Sequence, residues 1–198
     1  MKKTFYIQNM VCDRCKSAVK RLIKAHQAEL VDLELGRAII DTSSNFDLKK
    51  FSDDLKENGF YLIQNPEEKM VEQIKIALLN MINSKEKPDN FSTYLTNELY
   101  KDYSVLSKTF RKVEGETIEK YLIKLKIEKV KEFIQMQNRS FSEIADELDY
   151  NNISHLSSQF KSLTGMTMSA YQASQDWNRH AIDKILQTLP LIIKTKTE

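Results

Sequence analysis

Apolar and polar positions alternate and then recur in a way that divides the chain into two parts. Residues 3–8 (KTFYIQ) alternate as a strand with Phe5 and Ile7 on one face. Residues 15–26 change period: Cys15, Ala18, Val19, Leu22, Ile23 and His26 fall at i, i+3, i+4, i+7, i+8 and i+11, one stripe of a helix. Val31, Leu33 and Leu35 alternate again, Gly36 offers a tight turn, and residues 37–41 (RAIID) return, so the segment predicts a hairpin. A second helix with Leu48, Phe51 and Leu55 inward ends at Asn58-Gly59, and residues 60–64 give a last strand. The order is βαββαβ, which suits a small antiparallel sheet with two helices on one face, a ferredoxin-like arrangement.

Beyond residue 65 no strand pattern appears as far as residue 172. Asn65-Pro66-Glu67-Glu68 supplies a helix cap, a proline at the first helical position and acids against the helix dipole. The helix it opens places Val71, Ile74, Leu78 and Ile82 on one face, and residues 84–90 (SKEKPDN) form a polar loop. Residues 91–121 then align without a gap on 141–171, at an offset of 50, with ten of 31 pairs identical. Ordinary composition would give about two, so the unit is duplicated. Each copy reads as a helix (92–99; 142–148), a short turn, a second helix (103–113; 153–163) and a glycine, Gly115 or Gly165. Ser140 and Glu143 form a capping box for the second copy. The connecting stretch 117–136 predicts one long helix with Leu122, Leu125, Val130 and Phe133 inward, a rod of about 30 Å at ~1.5 Å per residue. Successive major grooves on one face of DNA are about 34 Å apart.

Composition narrows the classes. With 198 residues, 41% hydrophobic and 29% charged, the chain is ordinary for one domain or two small ones. No apolar run is long enough to span a bilayer, and the N-terminus lacks the apolar core of a signal peptide, so a cytoplasmic protein without membrane partners is expected. The net charge is only +2, so a nucleic-acid surface would have to come from local arrangement. No phosphate loop and no serine or cysteine nucleophile motif is present, which argues against an enzyme.

The second helix of each copy separates its faces cleanly. Leu106, Phe110 and Val113 match Leu156, Phe160 and Leu163 as core, while Ser104, Ser107, Lys108 and Arg111 match Ser154, Ser157, Ser158 and Lys161 as the outward face. Small hydroxyls permit close approach to DNA, and Lys and Arg reach guanine or phosphate. A polar outer face is common to bundle helices; the duplication and the rod length favour DNA. The segments SFSEIADELDYNNISHLSSQFKSLTGMTMSAY and YSVLSKTFRKVEGETIEKYLIKLKIEKVKEFI closely resemble the AraC/XylS-type DNA-binding domain, over about residues 68–172. The resemblance implies an all-α domain with two helix-turn-helix units joined by a long helix, controlling transcription, with double-stranded DNA as partner over two adjacent major-groove segments and RNA polymerase as a further one. Asp149 stands where that family usually has Gly, Ser158 where it often has Arg, and Met168 where it usually has Pro. With Ser158, the second reader is expected to discriminate sequence weakly. His155 is expected to be a partly buried side chain or a phosphate contact.

Cys12 and Cys15, the only cysteines, sit in NMVCDRC between the first strand and the first helix. A CxxC alone suits metal binding, redox chemistry or inert thiols. In its βαββαβ setting, residues 1–64 resemble the heavy-metal-associated domain of copper chaperones and metal-transporting ATPases, whose loop reads GMxCxxC. Asn9 replaces the usual Gly, and the resemblance makes Met10 a core anchor. Two thiols at a helix start favour thiolates, because unpaired N–H groups lower thiol pKa there. Cu(I) accepts so few ligands, with Zn(II) or Cd(II) behind it. Asp13 should face solvent, and His26 is too far along the helix to join.

The expectation is a soft-metal-responsive DNA-binding transcriptional regulator: residues 1–65 a heavy-metal-associated-like domain, 66–172 the DNA reader and 173–198 an amphipathic extension bearing Trp177, Ala181, Ile182, Ile185, Leu186 and Leu189. Two rivals stand beside it: a metal chaperone or buffer whose helices dock protein partners, and a regulator that senses thiol oxidation through a Cys12–Cys15 disulfide.

Overall fold

In the computed structural model, which describes residues 1–84, 86 and 88–175, the N-terminal part runs β1 (Lys2–Gln8), α1 (Asp13–Ala25), β2 (Glu29–Glu34), β3 (Arg37–Asp41), α2 (Leu48–Glu57) and β4 (Tyr61–Leu62). The strands form one antiparallel sheet in the order β2-β3-β1-β4. Lys2 pairs with Asp41 and Tyr6 with Arg37 across β1 and β3. α1 and α2 close over a core of Ile7, Met10, Val19, Ile23, Ala38, Ile40, Phe51, Leu55 and Phe60. Met10 is thus the anchor expected of it. His26 lies against the rings of Phe46 and Phe51, and its Nε2 is 2.7 Å from Asp54 Oδ2, joining α1 to α2.

Three local expectations fail here. A register shift between Leu30 and Asp32 breaks the simple alternation of β2, so Leu30 and Leu33 pack inward while Val31 is exposed. Leu48, the first residue of α2, is exposed because the buried arc of that helix begins a turn later at Phe51. The last strand is only Tyr61–Leu62, paired with Ile7 and Gln8.

The helical part comprises α3 (Pro66–Asn83), α4 (Phe91–Leu99), α5 (Tyr103–Glu114), α6 (Ile118–Met136), α7 (Phe141–Glu147), α8 (Ile153–Thr164) and α9 (Met168–Ser174). Asn65 caps α3, its side chain accepting from the Glu67 N–H at 2.8 Å, and the Ser140–Glu143 capping box opens α7. α6 has 19 residues, about 28 Å at ~1.5 Å per residue. It packs against α3 and α5 and against α7, α8 and α9. Leu106, Phe110, Leu156 and Phe160 are buried as the pattern predicted, whereas Leu163 is exposed near the end of α8.

The two copies differ at the turn. The left-handed residue that ends α4 is Tyr100 (φ 52°), but the left-handed residue after α7 is Asp149 (φ 57°), one place earlier in the alignment. The step turns Tyr100 outward, 92% exposed, while Tyr150 folds back to 8% and donates its hydroxyl to Gln159 Oε1. Asp tolerates the left-handed region better than most residues, which fits Asp149 to a position (φ 57°) where the resemblance leads one to expect Gly. Of the amphipathic extension, only residues 173–175 are described; Trp177 through Leu189 lie outside the described residues. Among the described residues no helix is long and apolar enough to cross a membrane.

The two parts touch. Val11, from the loop before α1, belongs to the helical core, and Cys15 packs against both cores. A Cβ on Gly36 (φ 69°) would lie 2.1 Å from Ile76 Cδ1 of α3, so the β2–β3 turn comes as close to α3 as a backbone without a side chain permits.

Candidate nucleic-acid interface and thiol pair

α5 and α8 each bury a Leu and a Phe four residues apart, Leu106/Phe110 and Leu156/Phe160, which fixes the opposite face outward. Ser104, Lys108 and Arg111 are exposed and Ser107 is half-buried; Ser154, Ser158 and Lys161 are exposed and Ser157 is half-buried. Six of the eight residues singled out by periodicity are therefore exposed, and Ser107 and Ser157 border the buried faces of their helices. The first copy presents two long cations among the exposed residues and the second presents one. His155 is exposed, not partly buried: it lies in the first turn of α8, its backbone N–H donates to Asn152 Oδ1 at 2.8 Å, and its ring meets Tyr150 edge-on.

α5 is held at both ends. At its start the Tyr103 hydroxyl donates to Glu119 Oε1 at 2.5 Å, tying it to the first turn of α6. Burial and that neighbouring carboxylate push the Tyr103 hydroxyl well above its ordinary pKa, and the bond holds Glu119 below its own. At its end Glu114 forms a buried ion pair with Lys75 of α3, 2.8 Å long. On the surface Lys112 pairs with Glu67 at 2.7 Å.

The cysteines lie in the N-terminal part, at the start of α1. Cys12 is the N-cap of α1 and is exposed; Cys15 is half-buried, and the two sulfurs are 3.2 Å apart. Asp13 faces solvent beside Lys16, as expected. Asn9 occupies the left-handed region (φ 71°), the conformation that a glycine would take without strain. The replacement therefore preserves the loop backbone, and the buried side chain adds a bond from Nδ2 to the Gly59 carbonyl at 2.9 Å. One expectation is reversed: burial and the adjoining Cys12 raise the Cys15 thiol above its ordinary pKa, outweighing the backbone N–H groups at the helix start. Among the described residues no group of three or more His, Cys, Asp or Glu side chains gathers as a metal site. The donor set is two sulfurs, which fits a soft cation of low coordination number better than a four-coordinate Zn(II).

Between the thiol loop and α5 lies a group that the periodicity did not reveal. Glu72, only 4% exposed, accepts the backbone N–H of Asn9 on Oε1 at 3.2 Å. Burial pushes its carboxyl up to about 7, although Lys75 and the Asn9 N–H pull the other way. The signal was present in α3: apolar residues at 70, 71, 74, 76, 77, 78 and 79 surround more than one stripe, so the charges among them had to be buried as well.

Residues 95–174 match the family model described as a helix-turn-helix domain. Two solved structures are similar to the chain. One is a DNA-binding transcriptional dual regulator from Escherichia coli K-12, at 21% identity and TM-score 0.46, covering 53% of this chain and 90% of that one. The other is the xylose-binding transcription activator XylR, at 16% identity and TM-score 0.42, covering 81% of this chain and 37% of that one. The search of curated proteins gives no match. The helical part thus carries a helix-turn-helix domain over residues 95–174.

Proposed function

We propose that the chain is a transcriptional regulator responsive to a soft metal ion, with Cys12 and Cys15 as the ligands and Cu(I) as the first choice. Residues 1–65 are read as a ferredoxin-like, heavy-metal-associated-like unit, a reading supported by the β2-β3-β1-β4 sheet order. Residues 66–172 are read as the DNA-binding domain, with α5 and α8 entering adjacent major grooves from the two ends of α6. The observation that carries the metal reading is the thiol pair itself: two sulfurs 3.2 Å apart at the start of α1, one of them packed against both cores. When bound, the cation supplies a positive charge that stabilises both thiolates.

The chain's own residues do the rest. Met10 anchors the loop in the core, Asn9 sets its left-handed turn, and Asp13 stays clear of the sulfurs. On the DNA side Lys108 and Arg111 provide the long donors and the serines provide close approach. The deciding experiment measures Cu(I) stoichiometry anaerobically, then DNA binding against salt concentration. One Cu(I) per chain, together with affinity that falls linearly with log salt, is expected. No DNA binding at low salt would leave the rival docking role. Rapid loss of two thiols on mild oxidation, without metal uptake, would favour the redox reading.

A further inference from the structure

The thiol loop and the first DNA reader are linked by a row of buried groups. The row starts at the Asn9 N–H, which donates to Glu72. One turn along α3, Lys75 attracts Glu72 and is itself 2% exposed. Lys75 pairs at 2.8 Å with Glu114, the last residue of α5. Tyr121 of α6 is buried beside the row; its ring meets Phe110 of α5 edge-on and lies 5.6 Å from the Lys75 ammonium. Every member is removed from solvent, where interactions between charges are screened least.

An open groove of about 690 Å³ runs along the row, lined by Lys16 and Arg37 of the N-terminal part, by Glu72 and Ile76 of α3, and by Glu98 and Tyr100 at the end of α4. The close contacts between the parts include the Asn9–Glu72 bond and the seat of Gly36 on Ile76. A displacement of the thiol loop therefore bears directly on Glu72. A soft cation held by both thiolates would set the sulfur separation through its own bonds, independently of the present 3.2 Å contact. Cys15 is held between both cores and Cys12 is exposed, so the change enters at Cys12 and reaches Asn9 through Val11 and Met10, which are packed in the helical and the N-terminal core.

We infer that Glu72 is a positioning residue that couples the thiol loop to α5, so that a soft cation on Cys12 and Cys15 alters DNA affinity through the Glu72–Lys75–Glu114 row. The inference rests on the proposed metal and DNA roles and names the residues that join them. A coupling of this kind is reciprocal: the factor by which metal changes DNA affinity equals the factor by which DNA changes metal affinity.

The test uses the full chain and a DNA site selected from a random pool. DNA affinity is measured metal-free and with one equivalent of Cu(I), and Cu(I) affinity is measured by chelator competition with and without DNA. In the unmodified protein both ratios should agree and exceed about fivefold. Glu72→Gln and Glu114→Gln, at the two ends of the row, should each bring the ratio to within about twofold of unity, while Glu67→Gln, in the surface pair with Lys112, should leave it unchanged. A second readout needs no metal: the Asn9 amide should exchange with solvent faster in Glu72→Ala than in Glu72→Gln, which keeps the acceptor. Failure of the unmodified protein to take up Cu(I) would overturn the metal reading and this inference together. Uptake without any change in DNA affinity would overturn the coupling alone. An undiminished ratio in both Gln variants, or equal exchange of the Asn9 amide, would remove Glu72 from the route.

Discussion

Replacing Glu72 by Gln should raise stability above neutral pH and change it little in acid. The carboxyl is 4% exposed, and burial lifts its pKa from an ordinary 4.5 to about 7. Well below 4.5 the group is protonated whether the chain is folded or not. Between 4.5 and about 7 the unfolded chain gives up its proton while the folded chain retains it, and stability falls by ~1.4 kcal/mol per pH unit. Above that window the loss levels off at about 3–4 kcal/mol, roughly 2.5 units' worth. Gln carries no charge to desolvate and keeps a carbonyl for the Asn9 N–H, so it should escape the loss. At about pH 8.5 the variant should melt roughly 7–14 °C above the unmodified protein, at ~2–4 °C per kcal/mol for a chain of this size. At about pH 5 the gap should shrink to less than about 1 kcal/mol. Urea unfolding at both pH values, with the midpoint read at unchanged slope, supplies the check. A Gln variant that is weaker at alkaline pH, or a gap that is the same at both, would refute the reasoning.

Other consequences can be measured directly. Cys12→Ser and Cys15→Ser should each abolish tight Cu(I) binding in a chelator competition; unaltered affinity in the double variant would exclude the pair as ligands. Lys108→Ala should cost about 1–3 kcal/mol on a selected DNA site and relax preference at one base, with Ser158→Ala costing less; the reverse order in a binding-site selection would overturn the assignment of discrimination to α5. Gly36→Ala forces a Cβ against Ile76 at a positive φ and should destabilise by about 1–3 kcal/mol; pairing it with Ile76→Ala should recover part of the loss in thermal melts, and no recovery would mean that backbone strain alone sets the cost.

The periodicity located nearly every element, because each helix and strand buries one face and the pattern records which one. It misread the place where a single residue changed the register. The shift between Leu30 and Asp32 turned Val31 outward, and the repeat alignment gave no sign that Tyr100 is exposed while its counterpart Tyr150 is buried. A gapless alignment cannot register that difference, since it depends on which residue takes the left-handed conformation. The outward residues of α5 and α8 were legible for the same reason as the core: they are what remains once Leu106, Phe110, Leu156 and Phe160 are buried.

What the pattern could not show is the contact between the two parts, because it joins residues 63 positions apart in sequence, Asn9 and Glu72. Asn9 was noticeable only as a departure from a glycine. Its backbone explains the departure: at φ 71° a glycine serves best, and Asn is among the few side chains that tolerate the position. The backbone N–H at that turn faces α3 and needs an acceptor, because an unpaired buried donor costs about 1–3 kcal/mol. Glu72 supplies one, but as a carboxylate it brings a charge that an amide would not. A neutral acceptor at this position would hold the loop at lower cost, so the loop alone does not account for a glutamate. Its charge is felt by Lys75, and through Lys75 by the end of α5. The stability penalty and the coupling are thus two effects of one group, and Glu72→Gln should remove both together.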